Sequence, residues 1–269
     1  MNNLQQMARS CLERIDPAAK VALTLQTAAE VKSGACDAAS AARLAEQLAP
    51  GRPQHPELVH YSRVPRRKLT TDTGRAAFLH AIAHIEFNAI NLAWDAVCRF
   101  DNMPDGYYRD WSRVAGEEAQ HFTLLSDRLQ ALGYRYGDFP AHDGLWEMAT
   151  KTAHDILVRM ALVPRVLEAR GLDVTPGMIE RLRAAGDDTS ADVLVKILHD
   201  EIGHVEIGSR WFNHVCHERK LDPVLTFGRL LDEYQLGPVR KPMNIPARRQ
   251  AGFSHEEICL LEGATEEES

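Results

Sequence analysis

No stretch of the chain approaches the roughly 18 uninterrupted apolar residues of a transmembrane helix, so no membrane span is expected. The opening MNNLQQMARSCLERIDPAAK has no basic start followed by an apolar run, and it does not read as a secretory signal. Five cysteines, Cys11, Cys36, Cys98, Cys216 and Cys259, are scattered with no CxxC pair. They read as reduced cytosolic thiols, which excludes a disulfide frame or a thiolate zinc site and places the protein in the cytoplasm. Basic residues are outnumbered, 31 against 38 acidic for a net charge of −7, which argues against nucleic-acid binding through overall charge. Period-two alternation of Val, Ile and Thr is missing, so almost no strand is expected. What remains is an ordinary globular balance, 45% hydrophobic and 26% charged over 269 residues.

Helix formers dominate 3–14, 17–32 and 38–48, with Asp37 placed to cap the last of these. Residues 49–68 hold four prolines and little periodicity, and read as an extended strap. Phe78, Ile82, Ile85, Ala89, Leu92 and Ala96 recur at spacings of three and four, the apolar face of a long helix over 73–100. A second long helix spans about 104–132, with Pro104 in its first turn and Gly133 beyond its end. A third spans 144–171, kinked at Pro164 and stopped at Gly171. Further helices are expected over 176–186, 188–219 and 223–235, then a second strap from 237 to 253. Ser254 with Glu257 fits a capping box, and ATEEES reads as a frayed end. The expected architecture is all-α. Residues 1–70 form an appendage and strap, 71–221 a bundle of four long helices, and 222–269 a terminal helix and tail.

Two motifs carry chemistry, Glu118-Ala-Gln-His121 and Glu201-Ile-Gly-His204, each in a long helix. Residues i and i+3 lie about 60° apart on one helix face, so carboxylate and imidazole can converge on one ion. One Glu-x-x-His arises by chance in many helices; two are far more specific. A four-helix di-metal site needs two further glutamates from the remaining helices. Glu86 lies 32 positions before Glu118, and Glu168 lies 33 before Glu201, both in otherwise apolar stretches. The chain thus repeats one unit, a glutamate followed by Glu-x-x-His, as in an internal duplication of a helix pair. Four carboxylates and two imidazoles suit Fe(II) or Mn(II) and offer no thiolate to favour zinc. Their four negative charges would balance two divalent cations.

This pattern resembles the ferritin-like di-iron carboxylate superfamily, whose fold is a four-helix bundle with one long crossover. The segments HAIAHIEF, YRDWSRVAGEEAQHF, YGDFPAHDGLWEMA, LEARGLDVTPGMI and DEIGHVEIGSRWF resemble a bacterial ferritin-like family of unknown function over about 50–255. The resemblance implies metal ligation by Glu86, Glu118, His121, Glu168, Glu201 and His204. It also implies carboxylates behind the imidazoles, Asp200 behind His121 and Glu117 behind His204.

Against these stand plainer readings. Single glutamates on helices are usually solvated. The six could instead join an ion-pair network with Arg165 or Arg210. Glu117 and Asp200 compete with Glu118 and Glu201 as ligands, and the i, i+3 spacing favours the latter pair. His84 lies about 200° around the helix from Glu86, and His199 about 140° from His204, so both point elsewhere. His80, also near Glu86, is a further tempting imidazole; His214 and His217 read as exposed or helix-terminal. Tyr107, Tyr108, Trp111, Tyr134, Tyr136 and Trp146 read as packing groups, Cys98 and Cys216 as small core residues. The basic runs Arg66-Arg67-Lys68 and Arg248-Arg249 read as solvated or salt-bridged.

The functional expectation is a di-metal oxidase or oxygenase. Two ions, iron before manganese, activate dioxygen for a small organic substrate, with an electron donor as a further partner. The chain is expected as a monomer or homodimer. Iron oxidation and storage without an organic substrate is the alternative, a tRNA-modifying hydroxylase a further one, and a binding module with only structural metal a fourth.

Overall fold

A computed structural model describes residues 2–37, 48–64 and 68–263. The described chain is helical, apart from a two-residue parallel pairing of Asn2–Asn3 with Cys36–Asp37 and an isolated bridge between Leu58 and Ala141. The expected helix over 38–48, the arginines of the 66–68 run and the acidic tail fall largely or wholly outside the described residues. No helix among the described residues is long and apolar enough to cross a membrane. The chain forms two compact units, 1–147 and 148–269.

The first unit is built on α3 (Asp72–Arg99) and α4 (Asp105–Ala131), with α1 (Leu4–Leu12) and α2 (Pro17–Lys32) packed beside them. Asp16 caps α2 by accepting from the Ala19 amide, with Pro17 in the first turn. Thr71 caps α3 in the same way through Gly74. Lys20 of α2 is fully buried, and its Nζ donates to Cys11 O at 3.1 Å, Leu12 O at 2.6 Å and Asn91 Oδ1 at 2.6 Å. It thereby adds a charged donor to carbonyls at the end of α1, where helical N–H groups run out, and ties α1 to α3. Trp94 of α3 donates to Thr24 of α2 at 3.0 Å.

The single apolar face expected on α3 is too narrow. Every residue from Glu86 to Cys98 is buried, while Ile85, assigned to that face, is 45% exposed. The reason is packing on more than one side, since α1 and α4 both contact this helix. The connection from Arg99 to Asp105 is short. Tyr107 Oη donates to Ala96 O and Tyr108 Oη to Phe100 O, so these rings hold the turn.

The second unit departs more from expectation. α5 spans Gly144–Lys151 and then stops. Buried Arg159 ends it, donating to Ala149 O at 2.5 Å and Thr152 Oγ1 at 2.8 Å. A new helix, α6 (Ile156–Leu162), starts with Asp155 as cap, passes into a π-helical turn over Val163–Glu168, and continues as α7 (Ala169–Ala184). Pro164, expected to kink the helix, lies at the start of the π turn; it lacks the N–H that regular α-helical bonding would use. Gly171 does not stop the helix, and Pro176 lies inside α7, so the separate 176–186 helix is its continuation.

α8 (Asp188–Glu218) packs on α7, followed by α9 (Pro223–Glu233). The expected second strap contains a short helix, α10 (Ile245–Gln250), capped by Asn244. The Ser254–Glu257 capping box opens α11 (His255–Glu262). Arg248 of α10 is not solvated: it is fully buried and donates from Nε and Nη2 to Asp173 of α7 at 3.0 and 2.8 Å.

Candidate metal centre

The first unit brings three of the six candidate residues together. Glu86 comes from α3, Glu118 and His121 from α4, and all three are buried. His121 Nδ1 lies 3.1 Å from Glu86 Oε2 and 3.4 Å from Glu118 Oε2. Each residue offers a ligand atom, and these atoms lie within 4.8 Å of one another.

The electrostatics explain what this cluster lacks on its own. Burial, then the neighbouring charge of Glu118, pushes the Glu86 carboxyl well above the usual carboxylate range, with His121 acting in the opposite sense. Burial also opposes charge on His121, but the hydrogen bonds it donates to Glu118 and Glu86 outweigh this and hold the imidazole up at about 11. Two adjacent buried carboxylates thus favour positive charge beside them, which His121 supplies when it carries a proton. A cation would do the same work with a stronger field. Hard oxygen donors plus imidazole, closely spaced and removed from water, fit a divalent first-row metal.

The second unit carries the repeated trio. Glu201 and His204 lie one turn apart on α8, with Glu201 Oε1 3.4 Å from His204 Nδ1. Glu168, half-buried, is the last residue of the π turn. Glu168 and His204 do not belong to a group of three ligand atoms of the spacing seen around Glu86. Asp200 pairs with Lys196 one turn away on its own helix at 2.7 Å, and Glu117 is half-buried on α4. The arginines weighed as ion-pair partners are engaged in their own unit: Arg165 with Glu257 at 2.7 Å, Arg210 with Glu206 at 3.2 Å.

His80 and His84 serve the loop after α4. Gly137 N donates to His80 Nε2 at 2.9 Å, and Tyr136 Oη lies 2.9 Å from His84 Nδ1. Burial lowers both imidazoles to about 4, so both are neutral near pH 7. Tyr136 also packs against Phe87 and Phe122, the chain neighbours of Glu86 and His121. Sequence reasoning gave Tyr136 only a packing role and missed its link to His84; the one available signal was the aromatic-rich 133–143 loop beside a helix bearing two extra histidines. Arg52 of the strap was missed outright. It forms a bidentate pair with Asp143, both contacts at 2.6 Å, and ties the strap to the same loop. His199 and His217 are exposed, while Cys98 and Cys216 are buried.

Comparison with known proteins adds a lineage but no reaction. The chain is 50% identical over 213 residues to an uncharacterized protein of Haemophilus influenzae (strain ATCC 51907 / DSM 11121 / KW20 / Rd), covering 77% of this chain and 74% of that one. No solved structure matches the chain. The profile of a family described as protein of unknown function (DUF455) matches residues 13–259, and the chain belongs to that family.

Proposed function

We propose that this protein is a ferritin-like di-metal carboxylate oxidoreductase that uses dioxygen on a small organic substrate. In this reading the two helix pairs combine as a four-helix bundle. Glu86, Glu118 and His121 contribute to one half of the site, and Glu168, Glu201 and His204 to the other. The observation that carries the proposal is the buried Glu86–Glu118–His121 cluster, held on α3 and α4 by the same sequence unit that recurs in the second half of the chain. Iron is the first candidate and manganese the second, on donor type.

Bound ferrous iron would supply the reducing electrons for dioxygen chemistry. The chain's own residues do the rest. Glu86 and Glu118 provide the negative charge that offsets the cations. His121 gives up its proton to become a neutral donor. The aromatic layer of Phe87, Phe122 and Tyr136 packs beside the first half-site and keeps water from it.

The test is anaerobic titration of the purified chain with ferrous iron, followed by oxygen exposure with optical detection. Two ions bound per chain and an oxygen-dependent absorption change are expected. No tight iron binding, or binding without any response to oxygen, overturns the proposal.

A further inference from the structure

The π turn that ends in Glu168 is held by a feature that the metal reading leaves unused. Arg165, three residues before Glu168, is fully buried, and its guanidinium lies among three phenylalanine rings. Phe212 of α8 is 4.6 Å away, Phe227 of α9 4.4 Å, and Phe253, just before α11, 4.6 Å. Its Nε donates to Ser209 Oγ of α8 at 3.2 Å. Its Nη2 pairs with Glu257 Oε1 at 2.7 Å, and among the described residues Nη1 has no hydrogen-bond acceptor. Glu257 is therefore the carboxylate that compensates a charge taken entirely out of water.

Glu257 does a second job. Its Oε2 accepts from Ser254 N at 2.9 Å, completing the capping box that starts α11. One side chain thus joins the start of the last helix to the turn bearing a candidate ligand. The turn also packs directly on α8. Pro164 meets α8 at Gly208, where a Cβ would come within 2.4 Å of the proline ring. A π turn shifts side-chain register relative to a regular helix. Whatever holds it therefore decides where the Glu168 carboxylate is presented.

We infer that Arg165 and Glu257 are positioning residues: the ion pair latches the C-terminal helix onto the π turn and sets the register of Glu168. The inference rests on the proposed metal site. It predicts that the C-terminal helix, remote in sequence from every candidate ligand, controls the half-site of Glu168, Glu201 and His204 and leaves that of Glu86, Glu118 and His121 alone.

The experiment compares wild type with Glu257→Gln, an isosteric change that keeps the side chain's size and removes its charge. Mn(II) alone is titrated into each chain, with stoichiometry and stepwise affinity read by calorimetry and helical content by circular dichroism. Wild type is expected to bind two ions. E257Q is expected to keep its helical content and one ion's affinity while the other weakens about 10-fold or more, as for outer partners of metal ligands. Equal loss at both ions, or no loss at either, overturns the latch while the metal reading stands. Failure of wild type to bind any ion overturns the metal reading itself. Should E257Q fail to fold, Ser209→Ala removes a milder contact of the same guanidinium. The same selective weakening is then expected at smaller size, and unchanged affinities overturn the latch.

Discussion

The closest backbone approach around the π turn gives a sharp test of its packing. Gly208 lies on α8, and a Cβ added there would fall 2.4 Å from Pro164 Cβ and 2.5 Å from Pro164 Cγ. Carbon atoms prefer separations of about 3.5–4.0 Å, so the ring or the helix must shift by more than an ångström. A proline ring cannot swing aside as a flexible side chain would. Overpacking of this kind costs about 1–3 kcal/mol, and a rigid neighbour argues for the upper end. Alanine regains about 1 kcal/mol over glycine in a helix interior. The net expectation for Gly208→Ala is a loss of about 2 kcal/mol. The control is Gly177→Ala in α7, where a Cβ meets nothing within 4 Å. There only the propensity gain remains, so G177A should stabilise by about 1 kcal/mol. Urea unfolding of the three chains, with m-values compared, measures both changes. A G208A chain as stable as wild type would refute the claim that Pro164 and α8 are locked together.

Other outcomes follow from buried polar groups. Asp173 accepts two hydrogen bonds from fully buried Arg248 and one from Asn244 N. Asp173→Asn should cost about 3–5 kcal/mol by stranding the guanidinium, and the double change Asp173→Leu with Arg248→Met should cost less than the single one; a double change that costs more, in urea unfolding, refutes this. His80 and His84 are held near 4 when folded, against 6.5 when unfolded. Between those values the unfolded chain binds protons that the folded chain refuses. Stability should therefore fall as pH drops from 6.5 towards 4, and level off below, by about 3 kcal/mol per imidazole. Over that window metal-free wild type should lose about 3 kcal/mol more than His80→Gln, whose amide oxygen can still accept from Gly137 N. Parallel pH profiles for the two chains would contradict it.

Local signals made most helices legible. Pro104 and Gly133 bracket α4, and the Ser254–Glu257 box announces α11, because such end signals depend on a few neighbouring atoms. The failures came where distant residues override local preference. Nothing near Lys151 shows that Arg159 will donate to the Ala149 carbonyl where α5 ends. Gly171 looks like a stop and Pro176 like a fresh start, yet α7, packed on α8, runs through both. Ile85 fitted a periodic face, but periodicity finds one face only, and α3 is covered on several. The spacing of two motifs picked out Glu86, Glu118 and His121, since ligands on helices must obey the helical period. It said nothing of Arg165 or Glu257, whose pairing spans 92 positions of sequence.

The two copies of the glutamate and Glu-x-x-His unit are built differently, and the difference has a physical origin. In the first, Glu86 sits mid-way along an uninterrupted 28-residue helix that is buried for the whole of its next three turns. Its position is over-determined by regular hydrogen bonding and packing. In the second, Glu168 ends a six-residue π turn, half-buried, with proline at its start. There the backbone bonds in the π pattern, with Ala169 N donating to Pro164 O, and contacts outside the helix add to it. The buried guanidinium, its three rings and Glu257 are those contacts. A repeat in sequence therefore need not mean two equivalent ion sites. On the proposed metal site, the first half would rest on its own helix and the second on contacts with α11 as well, so substitutions in α11 would change the second half and spare the first.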